Sequence, residues 1–249
     1  MSGIRMVRVR QESAALPGSA KKRVPLTVVE PEGRARGGIV LLHETHSFSR
    51  SLFQFMEDLA EEGWAVTAPD LFHRQPQSTD PVFGDALFED FAAAKKWLLG
   101  ERIRPDRVGV LGFDSAGTAA ALVSTTQRIG AAVSIAAHGI SEPVAAGTLP
   151  LANAVRELRV PWLGIFGEDD PLTPPSEIEL LRESAARANV ATLIVTYPGL
   201  GHRPDEGFGF TSKGADDVDD IPATADGSPE VAAVAARQHI FEWFDSNLR

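Results

Sequence analysis

The sequence predicts an α/β fold in which a mainly parallel central sheet is covered by helices on both faces. Short apolar runs alternate along the chain with longer stretches in which apolar residues recur every three or four positions. This alternation is typical of strands separated by helices. The chain has 249 residues, of which 43% are hydrophobic, so it is long enough to bury such a sheet within one domain.

Seven short runs rich in β-branched, aliphatic and aromatic residues are predicted to form the sheet. Most of them are continuously apolar rather than alternating with polar residues. Continuous runs are typical of strands that are buried on both faces, which favours parallel pairing. The predicted strands are Val24–Val29, Gly38–Leu42, Trp64–Ala68, Val108–Gly112, Ala131–Ala136, Trp162–Phe166 and Thr192–Tyr197.

Five stretches have the periodicity of helices that pack one apolar face against a sheet. The fourth follows a Pro-Pro pair and begins on a serine that is a candidate N-cap. In the last stretch, we expect Val231, Val234, Ile240, Phe241 and Phe244 to point inward. The predicted helices are Ser51–Glu62, Asp85–Leu99, Ala116–Thr126, Ser176–Ala188 and Ser228–Leu248.

Neither an internal repeat nor an interdomain linker is evident, so residues 1–249 are predicted to form a single domain. Residues 1–36 are a basic N-terminal segment with eight Lys or Arg against three Asp or Glu. Residues 205–227 are predicted to be an irregular acidic loop, and a loop of this length in a compact domain is usually functional or partly disordered. Two solvated surface segments are the simplest interpretation of these charges.

The overall charge excludes several kinds of partner. The chain carries 24 Lys and Arg against 34 Asp and Glu, a net charge of −10, which disfavours nucleic acid and anionic membranes. No apolar run is long enough to span a bilayer, and the N-terminus lacks the apolar core of a signal peptide. We therefore expect a cytoplasmic protein that binds a small-molecule substrate and is a monomer or weak homodimer. The absence of cysteine excludes disulfides, thiolate metal sites and a thiol nucleophile.

The candidate functional residues are those that follow the predicted strands, because ligands of parallel sheets bind beyond the carboxyl ends of the strands. One strand is followed by Gly112-Phe113-Asp114-Ser115-Ala116-Gly117, whose small residues have the spacing of a nucleophile elbow. Asp114 stands at its centre. Ser115 is one position late, so we expect its side chain to point away and its backbone N–H to face the site. The alternative is that Asp114 merely caps the following helix.

Two later strand ends supply an acid and a base. Asp170, with Asp169 as the next choice, follows the sixth predicted strand, and His202 stands between Gly201 and Arg203 after the seventh. Taken singly, the acid could form an Asx-turn and the histidine could be an exposed surface residue. The chain order of nucleophile, acid and base is nevertheless the order found in α/β hydrolases.

At the level of whole motifs, the sequence resembles the dienelactone hydrolase family of α/β hydrolases, from about Gly38 to the C-terminus. The resemblance implies an α/β-hydrolase fold. The motifs that carry it, besides the elbow, are His43-Glu44-Thr45-His46, Ala68-Pro69-Asp70-Leu71-Phe72 with Arg74, Gly167-Glu168-Asp169-Asp170-Pro171 and Tyr197-Pro198-Gly199-Leu200-Gly201-His202.

The resemblance implies catalytic roles for individual residues. The family triad of cysteine, aspartate and histidine maps to Asp114, Asp170 and His202. The family glutamate that contacts the resting nucleophile maps to Glu44. The oxyanion hole, formed by backbone N–H groups, maps to Thr45 and Ser115.

Substrate binding is implied less directly. Arg74 matches a family position that can bind a substrate carboxylate, and Arg203 is a second candidate for that task. His138, directly after the fifth predicted strand, either lines the pocket or is a surface histidine. No cofactor is implied. Asp114, Glu44 and a histidine are a conceivable ligand set for a metal, but we expect none, since His43, Glu44 and His46 lack the spacing of a helical zinc motif.

The elbow departs from the family at its central residue, where aspartate replaces cysteine. A thiolate attacks an acyl carbon readily, whereas a carboxylate would form an anhydride there. Four functions therefore stay open: hydrolysis of a small ester or lactone with Asp114 at the nucleophile position, water-mediated hydrolysis, attack by Asp114 on an sp3 carbon, and ligand binding without catalysis. If Asp114 and Glu44 lie close together, their two carboxylates are expected to share a proton or to be neutralised by a nearby cation.

Overall fold

A computed structural model describes residues 7–19, 21–44, 46, 48–204 and 229–248, and it contains the predicted α/β architecture. One eight-stranded sheet runs through this part of the chain in the order β1-β2-β4-β3-β5-β6-β7-β8. Strands β3 to β8 pair in parallel with one another. The strands are β1 Val7–Ala15, β2 Arg23–Pro31, β3 Gly37–Leu42, β4 Trp64–Pro69, β5 Val108–Phe113, β6 Ala131–Ile135, β7 Trp162–Gly167 and β8 Thr192–Tyr197.

All seven predicted strands are present, and the structure adds β1 at one edge. Strand β1 pairs antiparallel with β2 in the register Val9 to Val29, and β2 pairs antiparallel with β4. Most of the basic N-terminal segment therefore forms a hairpin, in which Arg10 bonds Glu30 at 2.7 Å. Strand β1 lies at the edge of the sheet and is mostly exposed or only partly buried, so it lacks the continuous apolar run of the central strands.

Helices cover both faces of the sheet, as predicted. Along β3, Ile39 and Leu41 face one core, which also contains residues of α1 and α6. Val40 and Leu42 face the other core, which also contains residues of α2, α3, α4 and α5. The helices are α1 Arg50–Glu61, α2 Asp85–Gly100, α3 Asp114–Ser124, α4 Leu151–Ala154, α5 Pro175–Ala185 and α6 Pro229–Asn247.

The short helix α4 was not predicted, and two details of the predicted helices are wrong. Helix α5 begins at Pro175 with Pro174 as its N-cap, so Ser176 lies inside the first turn. The other error concerns α6, where Val231 and Val234 are 62% and 65% exposed.

The inner face of α6 is formed by smaller residues than expected. Ala233 and Ala236 are buried together with Ile240 and Phe244, which follows the three- and four-residue spacing of one helix face. Val231 and Val234 lie on the opposite side of the helix from these four residues and are therefore exposed. The inward positions predicted for Ile240 and Phe244 are confirmed.

The described helices include none that is long and apolar enough to cross a membrane. The acidic loop of residues 205–227 lies outside the described residues, so its predicted irregular structure is untested.

The turn between β5 and α3 is a tight junction near the site. A Cβ atom added to Gly112 would overlap the carbonyl group of Ala116. A glycine is therefore required for the strand and the helix to come together, as the spacing of the elbow predicted.

We predict that Gly112→Ala destabilises the fold by about 1–3 kcal/mol, because the added methyl group forces backbone atoms apart. Gly100→Ala is the matched control, since a Cβ there meets nothing within 4 Å and lies at the end of a helix. It should be neutral or slightly stabilising. Urea denaturation of both variants measures the difference, and equal midpoints would contradict the assigned contact.

Candidate active site

Asp114 occupies the turn at the carboxyl end of β5 in a strained backbone conformation. Its φ angle is +56°, in the left-handed region that non-glycine residues rarely adopt. It is the first residue of α3, whose N-cap is Phe113 without a side-chain capping bond. The interpretation of Asp114 as a helix cap is therefore wrong. The turn instead raises its carboxylate above the end of the sheet.

His202 links Asp114 to Asp170. The His202 ring lies with Nε2 at 2.8 Å from Oδ1 of Asp114 and with Nδ1 at 2.7 Å from Oδ2 of Asp170. Asp170 is only 4% exposed, and it also accepts bonds from the Leu172 N–H and the Thr173 hydroxyl, both at 2.9 Å. The acid is thus fixed in place, and it fixes the orientation of the imidazole in turn.

The close approach of two loops makes this arrangement possible. A Cβ on Gly167, at the end of β7, would overlap the backbone of Leu200 and Gly201. Because Gly167 lacks a side chain, the loop that carries His202 can lie directly against the loop that carries Asp170. Asp169, the next choice for the acid, is exposed, and its N–H donates to the Leu200 carbonyl oxygen.

His138 lies against the same imidazole. The Nε2 atoms of His138 and His202 are 3.2 Å apart, and their ring centroids are 4.9 Å apart. The chain reaches this position through Ala136, which follows β6 with a φ of +50°. Of the two interpretations of His138, the structure favours the one in which it belongs to the site.

The two arginines have different surroundings. Arg203 packs its guanidinium over the Phe113 ring at 4.2 Å and lies 3.7 Å from Oδ2 of Asp114. Arg74 instead donates to Asp90 at 2.6 Å and to Glu89 at 3.0 Å, both on α2. Arg203 therefore contacts the elbow residue directly, while the substrate-binding role of Arg74 stays a prediction.

Glu44 lies next to the start of α3. It is half-buried and accepts a hydrogen bond from the Ser115 side chain, and it lies close enough to Asp114 to be influenced by its charge. The side chain of Ser115 is buried and is directed at Glu44. Thr45 lies outside the described residues, so the backbone oxyanion hole of Thr45 and Ser115 stays a prediction.

Comparison with known proteins assigns the family. The sequence model of the dienelactone hydrolase family matches residues 25–248. The chain belongs to the dienelactone hydrolase family. A Salmonella typhimurium protein provisionally named carboxymethylenebutenolidase is 22% identical over 220 residues, which cover 83% of this chain and 76% of that protein.

Solved structures of the family share the fold. A Klebsiella pneumoniae protein, provisionally named dienelactone hydrolase, superposes with a TM-score of 0.74 at 20% identity, covering 96% of this chain and 99% of that one. Dienelactone hydrolase from Anabaena variabilis superposes with a TM-score of 0.68 at 19% identity, covering 98% and 99%. The α/β-hydrolase fold and the hydrolase class expected from the sequence are confirmed.

In this dienelactone hydrolase family member, the histidine lies between two carboxylates. The hydrogen bond to Asp114, opposed by burial and supported by Asp170, raises the pKa of His202 to about 9. Since this value lies above the usual 6.5, the protonated ring stabilises the fold at low pH. That contribution is lost as the pH rises through 9. At neutral pH, His202 is an imidazolium.

The pKa values of the groups around His202 are shifted in different directions. Burial of the Asp170 carboxyl acts to raise its pKa, but hydrogen bonds from His202, Leu172 and Thr173 lower it below the usual value. Burial, followed by the charge of His202, lowers the pKa of His138, so that ring stays neutral. Burial is the main cause that raises the pKa of Glu44 to about 7. The hydrogen bond from Ser115 acts to lower this pKa, and the charge of Asp114 acts to raise it.

Sequence reasoning missed Thr173, which anchors Asp170, and the direct contact between His138 and His202. Thr173 stands three residues after Asp170 in a turn sequence, where a hydroxyl commonly bonds a preceding acid. His138 follows a strand end, as Asp114 does, so the rule that located the triad also points to it.

We predict that Asp114→Asn lowers the pKa of His202 from about 9 toward the ordinary value of ~6.5, because the largest favourable cause of its shift is lost. The titration of the imidazole can be followed by NMR in buffer with a chelator. Asp169→Asn is the control and should leave the value unchanged. A parent His202 that titrates near 6.5 would contradict the described ion pair.

Proposed function

We propose that this protein hydrolyses a small ester or lactone and uses water as the nucleophile at a centre formed by Asp114 and His202. The observation that supports this most directly is the bridge of His202 between Asp114 on the elbow and buried Asp170. Family membership supports the hydrolase class. The names of the curated relatives, which refer to a carboxymethyl-substituted lactone, favour a substrate of that type.

Water is the favoured nucleophile because the residue at the elbow is a carboxylate. Direct attack by Asp114 on an acyl carbon would produce an anhydride, which is less stable than the ester it came from. The chain has no cysteine that could take the role of a thiol. A carboxylate is, however, an effective acceptor for the proton of an attacking water.

The hydrolysis then follows a balanced route. The oxygen of water bonds to the carbonyl carbon while its proton passes to the Asp114 carboxylate. The bond from that carbon to the leaving oxygen breaks, and the leaving oxygen takes the proton from Nε2 of His202. The proton on Asp114 returns to His202, which restores the starting centre. Asp170 keeps the imidazole aligned throughout, because its bond to Nδ1 is not needed for the transfer.

Arg203 gives the site a preference for acidic substrates. Its guanidinium lies beside the elbow and is held over the Phe113 ring, which fixes its position. A guanidinium can bind a carboxylate through two parallel hydrogen bonds. We therefore assign the carboxylate of an acidic ester or lactone to Arg203, because its guanidinium lies beside Asp114 at the elbow.

A second candidate function rests on the elbow geometry. The positive φ of Asp114 is the strained conformation in which α/β hydrolases present a nucleophile. Attack by this carboxylate on an sp3 carbon would expel a leaving group and form an alkyl ester, which water would then cleave. The two functions differ in where the oxygen atom of water goes in the first turnover. Direct attack by water puts it in the product, whereas the covalent route puts it in the Asp114 carboxylate.

Single-turnover hydrolysis in oxygen-18 water separates the two. With enzyme in excess over an acidic lactone, we expect the label in the product carboxylate and none in the peptide that contains Asp114. Label in Asp114 with unlabelled product would reject water as the direct nucleophile and support the covalent route. The absence of turnover on esters, lactones and haloacids, together with measurable ligand binding, would support a non-catalytic relative.

We predict that Asp170→Asn lowers kcat by about 10²–10⁴-fold, since the imidazole loses the acid that orients it. Asp169→Asn makes the same chemical change one residue earlier at an exposed position, and it should retain nearly full activity. Steady-state kinetics on the best ester or lactone provide the comparison. Equal losses in the two variants would argue against Asp170 as the orienting acid.

A further inference from the structure

We propose that Asp114, His138 and His202 form a binding site for one divalent ion of the zinc type, in competition with the proton that Asp114 and His202 share. Each residue offers one ligand atom, and these atoms all lie within 4.8 Å of one another. They come from three separate strand ends, those of β5, β6 and β8. All three side chains are half-buried, so an ion from solvent can reach them.

The distances suit a tetrahedral ion. Zinc binds imidazole nitrogen and carboxylate oxygen at about 2.0–2.2 Å, which puts neighbouring ligand atoms roughly 3.3 Å apart. The two Nε2 atoms of the histidines are 3.2 Å apart, and Oδ1 of Asp114 is 2.8 Å from Nε2 of His202. Two of the three separations are therefore within about half an ångström of the tetrahedral value, and the third is no more than 4.8 Å.

The hydrogen-bonding capacity of the three atoms points the same way. Nε2 of His202 can carry a single proton, yet it lies within hydrogen-bond distance of both Oδ1 of Asp114 and Nε2 of His138. The proton can be shared between them, but neither acceptor receives a full bond. A divalent ion at the same point would accept a lone pair from all three atoms.

The surroundings of the site are those of a metal-binding histidine. His202 donates from Nδ1 to Asp170, which leaves Nε2 directed at the proposed ion. A carboxylate behind a metal-binding imidazole fixes its tautomer and its orientation. Asp170 is itself held by Leu172 and Thr173. Arg203 lies beside Oδ2 of Asp114, which leaves Oδ1 for the ion.

The donor set selects the class of ion. Two imidazoles and one carboxylate suit Zn²⁺ and similar transition-metal ions, whereas Ca²⁺ and Mg²⁺ prefer oxygen ligands throughout. Three protein ligands leave one position for water, as in zinc sites that are open to solvent. The proposed site shares Asp114 and a histidine with the ligand set named in the sequence analysis, but Glu44 is not one of its ligands.

This inference goes beyond the proposed hydrolysis, and metal binding does not depend on it. If the proposed function is correct, the ion and the acid–base pair are alternative states of one centre. An ion on Nε2 of His202 would displace the proton that the leaving oxygen needs. Zn²⁺ is therefore expected to lower the rate of hydrolysis.

The binding test uses the full chain after removal of metals by a chelator. Calorimetric titration with Zn²⁺ should give one ion per chain, and Co²⁺ should give the intense visible absorption of a four-coordinate ion. His138→Gln should weaken binding at least tenfold, and Asp170→Asn should weaken it about 10–100-fold. His46→Gln is the matched control, because this exposed histidine lies outside the three ligands, and it should bind Zn²⁺ as the parent does.

Several results would overturn the proposal. These are unchanged affinity in a folded His138→Gln variant, a pale six-coordinate Co²⁺ spectrum in the parent, or equal losses in His46→Gln and His138→Gln. Circular dichroism checks that each variant is folded. If a variant does not fold, the Co²⁺ spectrum of the parent alone tests whether the protein holds a four-coordinate ion.

Activity measured alongside binding separates this proposal from the proposed function. Hydrolysis by the stripped protein that falls as Zn²⁺ binds supports both. Hydrolysis that saturating Zn²⁺ leaves unchanged overturns the competition. Binding of one Zn²⁺ without hydrolysis in either state supports the metal site and rejects the function. Activity that requires Zn²⁺ supports the metal site and rejects the acid–base pair as the catalyst.

Discussion

The imidazole of His202 joins two carboxylates from separate strand ends, and the rest of the site depends on this bridge. Asp170 is buried and held by three hydrogen bonds, so it acts as the fixed end. Asp114 is the other end, raised by the turn after β5. The bridge requires the loops after β7 and β8 to touch, which they do at Gly167 and Gly201. Small residues at these junctions are therefore as necessary as the charged ones.

The sheet was predictable because its buried strands are short continuous apolar runs, and only the edge strand β1 was missed. The three bridging residues were predictable because parallel strands place their carboxyl ends at one edge, so chain order carries spatial information. The partners of Arg74 were not recognised. Asp90 is fully buried on the inner face of α2, at helical spacing from Leu87 and Phe91. An acid among the apolar residues of a helix face was a signal that such a partner existed.

The strand-end rule pointed to His138, but its contact with His202 could not be predicted because it depends on the backbone conformation beyond β6. Ala136 adopts a φ of +50° there, and Asp114 adopts +56° at the elbow. Conformations of this kind cost about 1–3 kcal/mol each and persist where the surrounding packing enforces them. Propensity and periodicity describe the preferred conformations of a chain, so they cannot reveal the residues that packing forces away from those preferences.

An aspartate at the elbow, where the family resemblance implies cysteine, sets the balance of charge there. Three carboxylates, those of Glu44, Asp114 and Asp170, surround two cationic side chains, His202 and Arg203. A thiol at the elbow would titrate near pH 8.5, whereas a carboxyl group is ordinarily ionised well below neutrality. The site must therefore hold extra positive charge. The protonated imidazole supplies part of it, and Glu44 relieves the remainder by taking up a proton near neutral pH. The negative charge of Asp114 favours the protonated form of His202, and a carboxylate cannot supply the thiol nucleophile that the resemblance implies for the family.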